Sequence, residues 1–209
     1  MKARMIFAVG MLGTLAGSPA FASDDGVATG ATDSKLRLQL QVEMLPVGSG
    51  KVTVGGDSTS NDTAVAYGIT GMFDYAVTPY LSVGVAPRVV LNSKSKDAPA
   101  SEDASKEIDL RARIMGHVPV WQRLEVYASV MPGYTIVTST QDGQDSATGF
   151  AIGGAAGASY DVSPTVFVAA EVGYQRAFTS ATLTAAGQMV SADLDLSYMH
   201  VGLGAGIRF

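Results

Sequence analysis

The chain has 209 residues, 47% of them hydrophobic, with 14 Lys and Arg against 19 Asp and Glu and no cysteine. The acidic balance argues against a nucleic-acid partner, because phosphate binding needs a concentrated basic surface. The lack of cysteine excludes disulfides, zinc–thiolate sites and thiol redox chemistry.

The first 22 residues are built like a secretory signal peptide. Lys2 and Arg4 precede a short apolar stretch, and Ala20 and Ala22 give the small-residue pattern of a cleavage site. We therefore predict cleavage after Ala22, which leaves 187 residues with 12 basic and 19 acidic side chains. The alternative is a retained membrane anchor, but a spanning helix needs about 20 apolar residues, and polar residues interrupt this stretch.

Residues 23–34 have the composition of a disordered lead-in, and a regular alternation of apolar and polar residues begins at residue 35. A period of two predicts β-strands. The alternation recurs eight times, at about residues 35–45, 63–75, 80–92, 107–117, 123–137, 148–161, 165–178 and 194–209. Tight turns follow the second, fourth and sixth strands, and longer polar loops are predicted at about residues 46–62, 93–106, 138–147 and 179–193. This order predicts an antiparallel meander with both chain ends on the tight-turn side.

The two faces of the predicted strands differ sharply. One face is almost wholly apolar, and the other carries the charges among Gly, Ala, Ser and Thr. The charged set is Arg37, Glu43, Asp74, Arg88, Asp109, Arg111, Arg113, Glu125, Glu171 and Arg208. In a soluble barrel or sandwich the apolar face would form the core. In a membrane barrel the apolar face would meet lipid and the charged face would line the interior.

Three features favour the membrane barrel. The predicted strands are about 11 to 15 residues long, whereas strands of globular proteins are mostly about 5 to 6 and a tilted membrane-spanning strand needs about 9 to 11. The charged face is rich in Gly and Ala, which suits a narrow interior. Aromatic residues cluster near the tight turns, as at a membrane interface.

An open sheet edge in lipid would leave backbone amides unpaired, so the sheet must close. The predicted fold is therefore all-β, an eight-stranded antiparallel up-and-down transmembrane β-barrel over residues 35–209. Pro87 and Pro132 lie inside predicted strands, where a proline removes a hydrogen-bond donor, and we expect a bulge or kink at each.

The pattern resembles the small eight-stranded outer membrane barrels of Gram-negative bacteria, the OmpX-like proteins and the OmpA transmembrane domain. The resemblance covers about residues 35–209. Its most specific element is the last strand, with Val201, Leu203 and Ile207 alternating before Phe209. The resemblance implies that this strand is a signal for the barrel-assembly machinery. It also implies a monomer among outer membrane lipids and lipopolysaccharide, with periplasmic termini, but it implies no single activity.

Catalysis is not expected. His117 lies at a tight turn and His200 on the charged face, and neither has a serine two residues away, as in a lipid A deacylase. The sequence predicts no metal site and no cofactor. We expect the interior arginines to neutralise the interior acids, with Arg111 and Arg113 pairing with Asp109, Glu125 or Glu171.

Two functional hypotheses follow. The first is a structural or surface-interaction barrel whose long loops meet an unidentified extracellular ligand. The second is a narrow channel or small-solute transporter. An eight-stranded barrel has an interior just wide enough for side chains to fill, which favours the first.

Overall fold

The computed structural model describes residues 34–97, 104–138, 146–185 and 188–209. It contains ten β-strands: β1 (Leu36–Val54), β2 (Asp57–Asp62), β3 (Ala66–Thr78), β4 (Leu81–Val85), β5 (Arg88–Ser93), β6 (Ser105–Trp121), β7 (Leu124–Thr138), β8 (Ala147–Asp161), β9 (Val166–Ala185) and β10 (Gln188–Arg208). The described part of the chain has no helix long and apolar enough to cross a membrane. The predicted signal peptide, with Ala20 and Ala22, and nearly all of the lead-in lie outside the described residues.

The strands form one closed antiparallel sheet. The first strand, β1, pairs with β10 on one side and with β3 on the other, which closes the ring. The ten strands occupy eight positions in the ring. Strands β2 and β3 both pair with β1 and share one position. Strands β4 and β5 both pair with β3 and β6 and share another. The predicted eight-stranded antiparallel barrel is confirmed.

The barrel has two different ends. The turn end carries the short connections at residues 79–80, 122–123 and 162–165, together with the start of β1 and the end of β10. There the backbones of Leu36 and Phe209 exchange two hydrogen bonds of 3.0 Å. The opposite end, here called the hairpin end, carries the turn between β1 and β2.

The structure corrects two of the predicted loops. Residues 46–62 are mostly strand, because β1 runs on to Val54 and turns back at Gly55 and Gly56 into β2. Both glycines have positive φ, 60° and 97°, which a two-residue type I′ hairpin turn requires. Residues 179–193 are also mostly strand, in β9 and β10. The predicted loops at 93–106 and 138–147 lie partly outside the described residues.

The structure shows no shift of strand register at Pro87 or Pro132, where a bulge or kink was expected. At Pro87 the strand is interrupted between β4 and β5, but the register with both neighbours is the same on either side. At Pro132 strand β7 continues, and this residue pairs with Ile152 of β8. Register shifts are found instead at two other prolines. At Pro46, which was assigned to a loop, the register of β1 against β10 shifts between Met44 and Val47, and at Pro119 the register of β6 against β7 shifts before Trp121.

Candidate functional site

The charged face of the strands points into the barrel. All ten predicted interior charges lie there, together with two acids that the sequence analysis did not include, Glu107 and Asp161. The interior therefore holds five arginines and seven carboxylates among the described residues. Charges in a confined space must be paired, and three layers of ion pairs meet this need.

The layer nearest the hairpin end centres on Arg88, whose side chain is fully buried. Its guanidinium lies 2.6 Å from Asp109, 3.0 Å from Glu107 and 3.5 Å from Glu43. The Tyr198 hydroxyl donates a 2.8 Å hydrogen bond to Glu107. Beyond this layer, buried apolar side chains fill the interior towards the hairpin end: Leu45, Ala66, Val90, Ala151, Ala177, Leu196 and Tyr198. The layer is thus separated from solution at that end.

The middle layer contains the other two central arginines. The Arg113 guanidinium lies 2.7 Å from Asp74 and 3.8 Å from Glu171. The expected pairing of Arg113 with Glu171 is therefore the weaker of its two contacts, and Asp74 is its main partner. The Tyr127 hydroxyl donates a 3.0 Å hydrogen bond to Glu171.

Arg111 differs from the expectation. Within the described part of the chain it lies within 4 Å of no carboxylate. It donates instead to the Gln175 side chain at 3.0 Å, the Ala86 carbonyl at 3.1 Å and the Thr70 hydroxyl at 3.3 Å. These neutral acceptors satisfy its hydrogen bonds, while the carboxylates that it was expected to neutralise are held by other arginines.

The third layer lies at the turn end, around a cavity of about 390 Å³ that we call the vestibule. The Glu125 carboxylate lies 2.5 Å from the Arg37 guanidinium and 3.7 Å from that of Arg208. Both guanidiniums stack on the Phe167 ring, each 4.9 Å from its centre. Arg208 also pairs with Asp161.

Three further groups line the vestibule in a row. The Ser82 hydroxyl lies 3.2 Å from Nε2 of His117, and Nδ1 of His117 lies 3.0 Å from Oε2 of Glu125. The row arises from strand register. Ser82 of β4 is paired with Met115, two residues from His117 on the same face of β6. His117 is in turn paired with Tyr127, two residues from Glu125 on β7, so both contacts are diagonal cross-strand pairs.

One interior cluster has the composition of a metal site. Donor atoms of Glu43, Glu171 and His200 lie within 4.8 Å of one another, and all three side chains are buried. However, Arg88 and Arg113 lie 3.5 Å and 3.8 Å from the two carboxylates. Each of the two carboxylates thus has an arginine against it, and the cluster is part of the interior ion-pair network.

The outward face is apolar across the middle of the barrel. Leu40, Val42 and Leu203 expose 62%, 61% and 67% of their surface. Exposed aromatic residues form two girdles: Tyr75, Tyr80, Trp121, Tyr160 and Phe209 near the turn end, and Tyr67, Tyr134, Phe150, Tyr174 and Phe178 towards the hairpin end. On β8 the two girdles are ten residues apart, which matches the length of a membrane-spanning strand, about 9 to 11 residues.

The sequence model of the family described as "Outer membrane protein beta-barrel domain" matches residues 8–209. The chain belongs to this family. It is an outer membrane β-barrel of the Gram-negative type, and the apolar wall is its lipid-facing surface. No curated protein shows a significant sequence match to it.

The chain is similar to solved structures of outer membrane barrels. OprG from Pseudomonas aeruginosa is 12% identical, covers 84% of this chain and 96% of its own length, and has a TM-score of 0.59. Neisserial surface protein A is 15% identical with a TM-score of 0.47, over 82% of this chain and 97% of its own. Ail, the attachment invasion locus protein of Yersinia pestis, is 14% identical with a TM-score of 0.39, over 84% of this chain and 99% of its own. At 12% identity the likeness to OprG extends to the fold alone.

The residues predicted as an assembly signal all face outwards in this outer membrane barrel. Val201, Leu203, Ile207 and Phe209 are exposed on the lipid-facing side of β10.

The sequence analysis did not find Ser82, because nothing in its local sequence links it to His117, 35 residues away. The inward position of Glu107 follows from the period of β6. The predicted strand at residues 107–117 already contained Glu107 on the same face as Asp109, so the sequence analysis could have included it.

Proposed function

We propose that this protein is a structural or surface-interaction barrel of the outer membrane, with a principal role that is not enzymatic. In this proposal the turn end and both termini face the periplasm, and the hairpin end faces the outside. The barrel inserts as a monomer among lipids and lipopolysaccharide, and the assembly machinery recognises β10 through Phe209, Ile207, Leu203 and Val201.

The observation that carries the proposal is the filled interior. Along the barrel axis, the Arg88 layer, the Arg113 layer and the apolar cluster behind them are almost free of solvent exposure. An ion crossing this path would have to displace buried, mutually paired charges, and breaking one such pair costs about 3 to 5 kcal/mol. The filled interior supports a structural role over the alternative, a narrow channel or small-solute transporter.

A second observation supports a role at the surface. The strands β1, β2, β9 and β10 continue beyond the girdle near the hairpin end and form a four-stranded extension in the order β2-β1-β10-β9. Every residue of β2 is exposed, and in the described residues β9 pairs with β10 alone beyond Ser180. Among the residues that the structure describes, the extension thus has two strand edges without a pairing strand, and such edges pair readily with a partner chain.

Conductance of the refolded protein in a planar bilayer tests the sealed interior. We expect no steady open state. The double variant Arg111→Ala, Arg113→Ala removes two interior side chains and serves as the comparison. A stable, ion-selective conductance of the unmutated protein, lost in the double variant without a change in unfolding midpoint, would establish the channel instead.

Orientation is tested by cysteine labelling, since the chain contains no cysteine. Ser58→Cys places a thiol on exposed β2 at the hairpin end, and Gln122→Cys places one in a turn at the turn end. A membrane-impermeant maleimide added to intact cells should label the first variant only. Labelling of Gln122→Cys alone would show the opposite orientation.

A further inference from the structure

The vestibule at the turn end contains the three groups of a serine hydrolase. Ser82, His117 and Glu125 come from three adjacent strands, at 3.2 Å and 3.0 Å from one another. A nucleophile within hydrogen-bond reach of a base, with the base held by a carboxylate, is the arrangement that activates a serine. We propose that Ser82 is the nucleophile of an esterase site open to the turn end of the barrel. This activity would add to the structural role and does not depend on it.

The hydrogen bonds fix the roles of the two ring nitrogens. An ionised carboxylate only accepts hydrogen bonds, so Nδ1 of His117 must carry the proton that it shares with Glu125. In the neutral ring Nε2 is then the acceptor, and the Ser82 hydroxyl donates to it. Nε2 is therefore placed to take the proton of Ser82, and Glu125 is the positioning residue that holds this tautomer.

The surroundings of Glu125 keep it ionised and fixed. Arg37 lies 2.5 Å from its Oε1 atom, on the side of the carboxylate away from His117, and Ser159 donates a 3.2 Å hydrogen bond to the same oxygen. Both oxygens of Glu125 are thus engaged, one by these donors and one by His117. A carboxylate held in this way keeps the imidazole in one orientation.

The vestibule also provides a place for an anionic substrate. Its lining includes Lys35, Arg37 and Arg208 against two acids, and Asp74 is already paired with Arg113. In the described residues, Nη2 of Arg208 is buried and has no hydrogen-bond partner, although it lies 3.7 Å from Glu125 and the same guanidinium pairs with Asp161. The vestibule has a volume of about 390 Å³, which lies in the range of small-molecule sites, about 300 to 1,000 Å³. We assign the substrate class as a small ester of a carboxylic acid that carries a second, anionic group.

The reaction would proceed in two balanced steps. In the first, Oγ of Ser82 bonds to the acyl carbon and its proton passes to Nε2 of His117. The bond from the acyl carbon to the leaving oxygen then breaks, and that oxygen takes the proton. In the second, water gives a proton to Nε2 and attacks the acyl carbon, the bond to Ser82 breaks, and Oγ regains the proton. The products are a carboxylic acid and an alcohol.

The first test is covalent labelling of the refolded, unmutated barrel in detergent with a fluorophosphonate, followed by peptide mass analysis. We expect one adduct, on Ser82. Ser82→Ala should abolish labelling. Ser129→Ala is the matched control, because Ser129 is another inward serine that is 5% exposed and its hydroxyl has no hydrogen-bond partner among the described residues. Labelling of another residue, or no labelling of the unmutated protein, overturns the proposal without reference to any variant.

The second test is ester hydrolysis, with 4-nitrophenyl acetate as the neutral ester and the mono-4-nitrophenyl ester of succinate as the anionic one. Ser82→Ala should lower kcat at least about 100-fold, as expected for loss of the nucleophile. Arg208→Gln should raise KM for the anionic ester by a larger factor than KM for the neutral ester. Glu125→Gln should shift the pH profile of kcat, which a merely structural role would not do. Equal rates in the unmutated, Ser82→Ala and Ser129→Ala barrels would refute the site.

Discussion

Replacing Arg88 by methionine removes the guanidinium that lies within 3.5 Å of three buried carboxylates. Methionine keeps much of the side-chain volume, so the change acts mainly on charge. Removing one partner of a buried pair costs about 3 to 5 kcal/mol, because the remaining charge is desolvated and unpaired. Here three acids, Glu43, Glu107 and Asp109, lose the same cation, so we expect the upper part of that range.

The assay is urea unfolding of the barrel in lipid vesicles. With a slope of about 2 kcal/mol per molar urea, a loss of about 5 kcal/mol lowers the midpoint by about 2.5 M. The matched control is Arg176→Met, since Arg176 pairs with Asp195 on the outside of the barrel and half of its side chain is exposed. An exposed pair contributes about 0 to 1 kcal/mol, so its midpoint should fall by less than about 0.5 M.

A third variant separates charge from packing. In Arg88→Met, Asp109→Asn the excess negative charge is smaller, so part of the lost stability should return. Contacting charges typically show coupling of about 0.5 to 3 kcal/mol. If Arg88→Met unfolds at the same urea concentration as Arg176→Met, or if Asp109→Asn restores nothing, the interior ion pairs do not hold the barrel together.

Three further predictions concern export, assembly and packing. Intact mass of protein from outer membranes should correspond to a chain that begins at Ser23; the full-length mass in an inner-membrane fraction would contradict the predicted cleavage. Deleting Phe209 should lower the amount in the outer membrane and leave unfolded chain in the periplasm, and normal insertion of the shortened protein would argue against the assembly signal. Gly149→Ala should destabilise by about 1 to 3 kcal/mol, the usual cost of overpacking, because its new Cβ would meet a backbone oxygen. Gly71→Ala, with open space at that point, should unfold at nearly the unmutated midpoint, and equal effects of the two would show that backbone crowding is unimportant.

The sequence by itself determined the strand type, the number of ring positions and the face of each side chain. These properties are local: successive side chains of a strand point to opposite faces, so a period of two identifies both the strand and its two surfaces. Because nearly all the charged residues of the predicted strands fall on one of these two surfaces, the sequence also identified the inner face of the barrel. The predicted tight turns also held, because Pro79 and Pro164 mark connections that cannot continue a strand ladder.

One feature near the hairpin end could be known only from the folded structure. The polar composition of residues 46–62 is typical of a loop, yet this segment is paired strand, since β10 continues alongside it and gives its backbone partners. Composition does not record whether a neighbour is present. The strand lengths on that side were therefore underestimated.

Only the tertiary structure decided which interior groups meet. Arg113 pairs mainly with Asp74 and Arg111 with neutral acceptors, although the sequence offered other acids to both. The row Ser82–His117–Glu125 is likewise invisible along the chain. A closed barrel brings strands together at a stagger fixed by its register, and the contacts across its interior depend on that stagger and on ring closure. Alternation along one strand says that a side chain points inwards, but the register between strands decides what it touches.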